Sequence, residues 1–169
     1  KNNPTYYEVC SGLTGHSEVV RVIWDKREID VSDLLKMFWE CHDPTQKNRQ
    51  GNDMGTQYRS AIYYKNENNI KTILASKEQY QTELSKKNLG LIETEIKMID
   101  SYFYAEQYHQ QYLASAGSRQ YCSASPTKVK LGVFTGSNYK LEDHIWENFN
   151  WEVDKCVLRS DNNPIKNNI

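Results

Sequence analysis

The chain has 169 residues, a formal net charge of −1 and a mean hydropathy of −0.82. This length is sufficient for one domain with a buried core. The near-neutral charge gives no indication of nucleic-acid or anionic-membrane binding, and no apolar run is long enough to span a bilayer. We therefore expect a globular protein with neither a nucleic acid nor a membrane as its partner.

The first 41 residues are predicted to form a loop, a strand and a helix. Residues 1–15 contain two glycines, a proline and several polar residues, which favour a loop. Residues 18–24, EVVRVIW, are rich in β-branched side chains and predict a strand. Ser32 is predicted as the N-cap of a helix that runs to about Cys41, with Asp33 near its positive end.

Residues 42–60, HDPTQKNRQGNDMGTQYRS, contain almost no large apolar side chain, although apolar segments flank them on both sides. Pro44, Gly51 and Gly55 favour an irregular loop. A long polar loop inside a compact domain is usually either disordered or functional. We interpret this segment as a solvated connection or as a loop that carries binding groups.

Residues 58–114 predict alternating strands and helices. A strand over residues 58–65 precedes a helix over residues 70–87. Residues 91–99 alternate between apolar and charged side chains, as in a half-buried strand, and residues 105–114 predict a helix. Strands separated by helices argue for an α+β or α/β layer fold in which helices cover the sheet.

The tail differs in composition from the rest of the chain. Residues 128–134 predict a short strand, and residues 161–169 are expected to be disordered. Between them, apolar side chains recur every four residues, which predicts one stripe on a helix: Leu141, Ile145, Phe149, Val153 and Val157. This stripe could dock on the body or on a partner in an assembly. We divide the chain into a domain over residues 1–125 and an extension over residues 126–169.

Four cysteines, Cys10, Cys41, Cys122 and Cys156, are widely spaced and form no CxxC pair. This spacing is neither that of a small disulfide framework nor that of a structural zinc site. We expect reduced, buried thiols at most of these positions. Cys122 differs, because it follows the small and polar stretch ASAGSRQY and is therefore expected on a mobile surface segment.

Two acidic residues are candidate proton donors. Glu18 opens the first predicted strand directly after a glycine-containing turn, and Asp53 lies in the polar loop. A carboxyl that is desolvated in a pocket has a raised pKa and can donate a proton. The competing interpretation is that both side chains are ordinary solvated carboxylates. Neither a nucleotide-binding motif nor a hydrolase nucleophile motif occurs in the chain.

Several long, ungapped segments resemble the peptide methionine sulfoxide reductase A family. They cover most of residues 2–122 and read NPTYYEVCSGLTGHSEVV (3–20), FWECHDPTQKNRQGNDMGTQYRSAIYY (38–64), TEI (94–96) and FYAEQYHQQYL (103–113). The resemblance implies the α+β, ferredoxin-like two-layer sandwich of that family.

The resemblance also implies reduction of methionine (S)-S-oxide in proteins or peptides. In this family a cysteine thiolate attacks the sulfoxide and becomes a sulfenic acid, a second cysteine condenses with it to a disulfide, and thioredoxin reduces the disulfide. No metal or organic cofactor is expected, since the thiols carry the electrons. The implied partners are an oxidised protein or peptide and thioredoxin. We expect a monomer in the cytoplasm, where thiols stay reduced.

The roles of individual residues follow from the same resemblance. Glu18 matches the acid that hydrogen-bonds and protonates the sulfoxide oxygen. Tyr6 and Tyr58 match two phenols that bind this oxygen, and Asp53 matches a loop aspartate that fixes a water and helps to polarise the site. Cys122 matches the resolving cysteine. One preorganised donor at such an oxygen is worth about 3 kcal/mol in comparable sites.

One family motif has no counterpart in this sequence. The nucleophile of the family lies in GCFWG, upstream of NPTY, and the 169 residues contain no GCFWG. Cys10 matches a family cysteine that is not the nucleophile. We therefore expect an N-terminally incomplete sequence that lacks the first strand and helix and has little reductase activity by itself. The alternative hypothesis is a non-catalytic module that binds oxidised-methionine peptides through the same acid and phenols.

Overall fold

The computed structural model describes residues 1–110, 112 and 124–147, with side chains described as far as residue 145. This part of the chain combines helices with short strands, as the predicted α+β class requires. The helices are α1 (Tyr6–Cys10), α2 (Val31–Glu40), α3 (Ile70–Lys86) and α4 (Asp143–Glu147). The strands are β1 (Arg49–Gln50), β2 (Asp53–Met54), β3 (Ala61–Tyr64) and β4 (Glu95–Met98).

The described strands form two small sheets. Strands β3 and β4 pair in parallel, with Ala61 opposite Glu95 and Tyr64 opposite Met98. Parallel strands need a long crossover, and α3 supplies it. Strands β1 and β2 form an antiparallel hairpin inside the polar loop. The polar loop is therefore ordered around this hairpin and is not merely a solvated connection.

The hydrophobic core lies between α2 and α3. Trp39 of α2 stacks on Tyr80 of α3 with 5.7 Å between the ring centroids, and both side chains are fully buried. The indole Nε1 of Trp39 donates to the Ser76 hydroxyl at 2.9 Å, so its polar atom is satisfied. The buried cluster comprises Leu35, Trp39, Ile73, Tyr80, Leu84, Ile92, Val129, Leu131 and Phe134.

Two buried carboxylates on α2 attach residues 130–141 to the core. Glu40 accepts a hydrogen bond from the Leu131 backbone N–H at 2.9 Å and pairs with Lys36 at 2.6 Å. In the first turn of the same helix, Asp33 accepts from the backbone N–H groups of Lys140 and Leu141 at 3.1 and 3.2 Å. The boundary predicted after residue 125 stays a prediction.

The predictions for the two long helices are confirmed, whereas the predicted cap of α2 is wrong. Helix α2 ends at Glu40 and α3 ends at Lys86, each one residue before the predicted end. The N-cap of α2 is Asp30 and not Ser32, because the Asp30 carboxylate accepts from the Ser32 backbone N–H at 2.9 Å. Asp33 closes the capping box by accepting from the Asp30 N–H at 2.9 Å.

Strand predictions were less accurate. Residues 18–24 are not a strand: the Glu18 backbone N–H donates to the Gln57 carbonyl at 2.8 Å, but the segment forms no strand ladder with another described segment. Residues 128–134 have the apolar alternation of a strand but bend at Lys128 and Gly132, where φ is +64° and +72°. Strands β3 and β4 are both shorter than predicted.

The helix predicted over residues 105–114 is also wrong in its described part. A 3-10 turn over Gln107–His109 stands there instead. The Glu106 carboxylate accepts from the Tyr6 backbone N–H at 3.0 Å, and the Gln110 amide donates to the Ala105 carbonyl at 2.8 Å. These contacts fix the turn. In the tail, α4 contains Ile145 of the predicted stripe, and Phe149, Val153 and Val157 lie outside the described residues.

Candidate active site

Three separate segments bring Tyr6, Glu18 and Tyr58 together. Tyr6 is the first residue of α1, Glu18 follows a turn at Gly15, and Tyr58 ends a 3-10 turn over Thr56–Tyr58. The Glu18 backbone N–H donates to the Gln57 carbonyl at 2.8 Å, which holds the acid beside Tyr58. The charge of Glu18 acts on the pKa values of both phenols. The acid and phenols predicted from the sequence therefore share one site.

Helix α1 orients Tyr6 through its first turn. Thr5 is the N-cap, and its backbone N–H donates to the Glu8 carboxylate at 2.9 Å in a capping box. A salt bridge to Lys1 and these bonds to Thr5 lower the pKa of Glu8 to about 2. The Tyr6 backbone N–H is held by Glu106, far along the chain. The position of Tyr6 is thus fixed by local capping and by one long-range contact.

The two phenols remain protonated at physiological pH. A hydrogen bond with Cys10 is the largest cause that raises the pKa of Tyr6 to about 12, followed by the charge of Cys10 and by burial. Burial is also the largest cause of the raised pKa of Tyr58, and the charge of Glu18 adds to it. Each phenol is therefore a neutral O–H donor that can hydrogen-bond an oxygen acceptor.

Glu18 lies in an environment that favours its protonated form. Part of the residue is exposed, yet desolvation by the surrounding protein is the largest cause that raises its pKa. His109 lowers the Glu18 pKa, and the negative charge of Asp53 raises it. The balance is upward, so Glu18 keeps its proton to a higher pH than an exposed glutamate does.

Asp53 and Tyr58 are placed by the hairpin and by Gly55. Asp53 belongs to β2, and its charge acts on both Glu18 and Tyr58. Gly55 has φ of +145°, a backbone conformation that residues with a Cβ rarely adopt. The loop glycine therefore favours the backbone path between Asp53 and Tyr58.

Arg59 joins the segments that carry the acid and the second phenol. Its guanidinium donates to the carbonyls of Thr56 at 2.8 Å, Gly15 at 3.2 Å and His16 at 3.3 Å. It also pairs with Glu95 of β4 at 2.7 Å. Arg59 was not predicted from the sequence to be a positioning residue. Its place directly after Tyr58 in the GTQYRS motif is the signal that would have identified it.

His109 is a second residue that sequence reasoning missed. Its ring lies 4.5 Å from the Tyr6 ring, between centroids, and it lowers the Glu18 pKa. Among the described residues, its buried Nε2 atom has no hydrogen-bond partner. The sequence placed His109 in a matched motif but gave no indication that it would contact Tyr6, because a distant turn makes this contact.

The cysteines differ in their distance from this site. Cys10 is a free, partly buried thiol that hydrogen-bonds Tyr6. Cys41 is also free, and burial raises its pKa to about 11, which suits an inert core thiol. Cys122 and Cys156 lie outside the described residues. The structure therefore brings together four of the five predicted site residues, and their catalytic roles stay predictions.

The described residues contain neither a cluster of metal ligands nor a helix that could span a membrane. No group of three or more histidine, cysteine or acidic side chains is placed to hold a metal ion within residues 1–110, 112 and 124–147. Within the same residues, none of the helices has both the length and the apolar character needed to cross a bilayer.

Comparison with known proteins gives the family. The family model described as peptide methionine sulfoxide reductase matches residues 1–140. The peptide methionine sulfoxide reductase MsrA of Azotobacter vinelandii is 55% identical over 129 residues, which are 76% of this chain and 59% of that protein. The mitochondrial peptide methionine sulfoxide reductase of Bos taurus is 54% identical over 133 residues, which are 78% of this chain and 57% of that protein. The chain thus spans less than two thirds of the length of these relatives.

Two solved structures show the same fold. Mxr1 from Saccharomyces cerevisiae in its reduced form has a TM-score of 0.67 and 34% identity, and the match covers 75% of this chain and 70% of that one. Methionine sulfoxide reductase A of Corynebacterium diphtheriae has a TM-score of 0.62 and 38% identity, covering 74% of this chain and 66% of that one. The predicted α+β fold class is confirmed. Since the family model covers most of the sequence, the chain belongs to the peptide methionine sulfoxide reductase family.

Proposed function

We propose that this chain carries the oxygen-binding part of an enzyme that reduces methionine (S)-S-oxide in proteins or peptides. The observation that carries the proposal is the convergence of Tyr6, Glu18 and Tyr58 on one site, within a chain of this family. Two neutral phenols and one carboxyl with a raised pKa form a set of donors within one site. This set suits an oxygen that gains negative charge as its bond to sulfur weakens.

The chemistry follows from the weakness of a sulfoxide as an electrophile. Hydrogen bonds from Tyr6 and Tyr58 withdraw electron density from the oxygen, and Glu18 donates a proton to it. The oxygen then passes to a cysteine sulfur, so that the sulfoxide is reduced to methionine and the thiol is oxidised to a sulfenic acid. A second thiol displaces water to form a disulfide, which the dithiol of thioredoxin reduces. The net reaction converts a sulfoxide and a dithiol into methionine, a disulfide and water.

The source of the attacking thiol decides what the 169 residues can do by themselves. The family nucleophile lies in a GCFWG motif, and this sequence contains none. The proposed resolving thiol, Cys122, lies outside the described residues. We therefore expect these residues alone to bind a methionine (S)-S-oxide peptide without reducing it.

Binding and turnover test the proposal separately. The affinity for a methionine (S)-S-oxide peptide should exceed that for the same peptide with methionine, as measured by isothermal titration calorimetry. Turnover with dithiothreitol should be absent for the 169 residues and should appear when a GCFWG segment of the family is joined upstream. In the joined protein, Glu18→Gln should lower kcat about 100-fold, because glutamine can still donate a hydrogen bond but cannot transfer a proton.

Each part of the proposal has an opposing result. Equal affinity for the sulfoxide and methionine peptides would overturn the oxygen site. Clear turnover by the 169 residues alone would overturn the argument from the absent GCFWG motif, and would direct attention to Cys10, which already contacts Tyr6.

A second candidate function is a non-catalytic module that recognises oxidised-methionine peptides. The observation that favours it is the presence of Glu18, Tyr6 and Tyr58 in a sequence without GCFWG. This module would bind the sulfoxide peptide and would remain inactive after a GCFWG segment is joined. Turnover by the joined protein would exclude it.

The proposed partner and compartment follow from the thiol chemistry. A disulfide intermediate needs a dithiol reductant, for which thioredoxin is the proposed donor, and free thiols favour the cytoplasm. We also propose a monomer. Oxidation of NADPH coupled to thioredoxin and thioredoxin reductase would test the reductant with the joined protein, and cell fractionation would test the compartment.

A further inference from the structure

An exposed aromatic surface borders the candidate site. It consists of Tyr6, Tyr7, Tyr108 and His109. The Tyr6 ring lies 5.6 Å from Tyr7 and 4.5 Å from His109, and the His109 ring lies 4.4 Å from Tyr108, all between centroids. Tyr7 is 80% exposed and Tyr108 is 61% exposed. Four rings are thus continuous, and two of them face solvent.

Two distant parts of the chain build this surface. Tyr6 and Tyr7 open α1, whereas Tyr108 and His109 belong to the 3-10 turn over Gln107–His109. The Glu106 carboxylate joins the two parts by accepting from the Tyr6 backbone N–H at 3.0 Å. The turn itself is closed by a bond from the His109 N–H to the Glu106 carbonyl at 2.9 Å. These two hydrogen bonds, both donated by backbone N–H groups, therefore hold the rings side by side.

The exposed rings have the chemistry of a polypeptide-binding surface. A tyrosine ring offers a large apolar face, a neutral hydroxyl at physiological pH and few rotatable bonds, so ordering it on binding costs little entropy. Tyrosine is enriched where proteins bind other chains. Neither Tyr7 nor Tyr108 belongs to the buried core cluster.

The surface is continuous with the proposed oxygen site through Tyr6. This residue interacts electrostatically with Glu18 and Tyr58, and its ring contacts the rings of Tyr7 and His109. A methionine sulfoxide bound at Tyr6 as part of a polypeptide would therefore place its neighbouring residues over these rings. Free methionine sulfoxide has no neighbouring residues and would leave them uncovered.

We propose that Tyr7 and Tyr108 bind apolar or aromatic side chains next to the oxidised methionine, which makes flexible polypeptides with such neighbours the substrate class. This inference rests on the proposed function, because it assumes that the sulfoxide binds at Tyr6. An aromatic contact of this kind changes an affinity by about five-fold. Two such contacts together would change it by more than ten-fold.

A set of four peptides separates the two proposals. The peptides carry methionine (S)-S-oxide or methionine, flanked on both sides either by phenylalanine or by glycine. Their Kd values are measured with the 169-residue chain by isothermal titration calorimetry. We expect the phenylalanine-flanked sulfoxide to bind more than about ten-fold more tightly than the glycine-flanked sulfoxide. Both sulfoxides should bind more tightly than their methionine counterparts.

Variants assign the preference to particular rings. Tyr7→Ser and Tyr108→Ser should each reduce the preference for phenylalanine flanks several-fold, and the double variant should abolish it without weakening the glycine-flanked sulfoxide. Tyr7→Phe should keep the preference, because the ring makes the contact. Val133→Ser is the matched control, since Val133 is also largely exposed, at 79%. It lies outside the aromatic surface, because its neighbour Gly132 is close to Gln79 of α3.

Each contrary result of these binding measurements would overturn a particular proposal. Equal affinity for both flanks, with the sulfoxide still preferred over methionine, would overturn the aromatic surface and leave the proposed function standing. Equal affinity for sulfoxide and methionine would overturn the proposed function. A preference for phenylalanine flanks that survives the double variant would also overturn the assignment to Tyr7 and Tyr108.

Discussion

The Glu18 carboxyl shows how the site changes the chemistry of a single residue. Desolvation raises its pKa most, His109 opposes this rise, and the negative charge of Asp53 adds to it. The two phenols nearby stay neutral and contribute no charge at physiological pH. Glu18 therefore retains its proton above the pH at which an exposed glutamate loses it. A carboxyl of this kind is suited to donate a proton to an oxygen.

The raised pKa of Glu18 predicts how sulfoxide binding depends on pH. The protonated carboxyl donates to the sulfoxide oxygen, and the carboxylate cannot. Binding should therefore be strongest below the Glu18 pKa in the folded protein and should weaken by about five-fold as the pH rises through it, the value of one hydrogen bond. Titration calorimetry of a sulfoxide peptide from about pH 4 to about pH 8, a range that includes a raised glutamate pKa, measures this change.

The variant Glu18→Gln separates this pH effect from other titrations. Glutamine keeps a neutral donor at the same position but does not titrate. We expect its affinity for the sulfoxide peptide to be flat over the same range. A variant that still lost affinity as the pH rises would show that another group causes the dependence.

At the scale of elements, α2 links the core to the C-terminal part of the chain. Its apolar face packs Leu35 and Trp39 into the core. Its polar face carries Asp33 and Glu40, whose carboxylates bind backbone N–H groups of residues 131–141. Buried carboxylates are costly unless they are paired or hydrogen-bonded. Glu40 pairs with Lys36, and Asp33 accepts from the backbone N–H groups of Asp30, Lys140 and Leu141.

Glu40→Ala should destabilise the protein more than an exposed variant of the same type. The variant removes the carboxylate that pairs with Lys36, whose side chain is only 12% exposed, and it leaves the Leu131 N–H without the Glu40 acceptor. Breaking a buried pair in this way costs about 3 kcal/mol. Urea denaturation followed by circular dichroism measures the free energy of unfolding.

Glu83→Ala is the matched control for this prediction. Glu83 pairs with Lys86 on the outer part of α3, where the lysine side chain is 61% exposed. Exposed pairs of this kind contribute about 0.5 kcal/mol or less. Similar losses for Glu40→Ala and Glu83→Ala would contradict the proposed role of α2 as an anchor.

For the whole molecule, the main question is where the compact unit ends. Val129, Leu131 and Phe134 are part of the buried cluster around Trp39 and Tyr80. The family model likewise extends to residue 140. The packing therefore includes residues beyond the predicted boundary at residue 125, and the stability of truncated chains tests whether that boundary separates folding units.

Two truncations test this boundary. Removing residues 126–169 deletes three buried apolar side chains, each worth about 2–4 kcal/mol, a sum comparable with the whole stability of a typical domain. We expect this shorter chain to lose its cooperative unfolding transition in urea. Removing only residues 148–169 keeps the described core residues in the chain and should preserve the transition. Cooperative unfolding of the chain that ends at residue 125 would support the predicted boundary.

The truncated chain that ends at residue 147 also tests the predicted monomer. Its size by light scattering, compared with that of the 169-residue chain, shows whether residues 148–169 contribute to an assembly. A mass corresponding to one chain for each of the two proteins would support a monomer. A mass of more than one chain for the 169-residue protein alone would support the assembly hypothesis for the apolar stripe.

The sequence by itself determined the family, the two long helices and most of the candidate site. Helices α2 and α3 follow from apolar periodicity, which depends on neighbours three and four residues away. The site residues Tyr6, Glu18, Asp53 and Tyr58 lie in long motifs that match the family without gaps. These features depend on residues that lie close together in the chain, so they can be predicted from the sequence alone.

Tertiary structure decided the features that depend on distant partners. Residues 18–24 have the composition of a strand, but strand formation requires a hydrogen-bonded neighbour along its length. Residues 105–109 form a turn because Glu106 binds the backbone of Tyr6, and the same contact creates the aromatic surface. Residues 129–134 join the core through α2. The sequence sets local periodicity and chemistry, whereas pairing and burial arise only when remote segments meet.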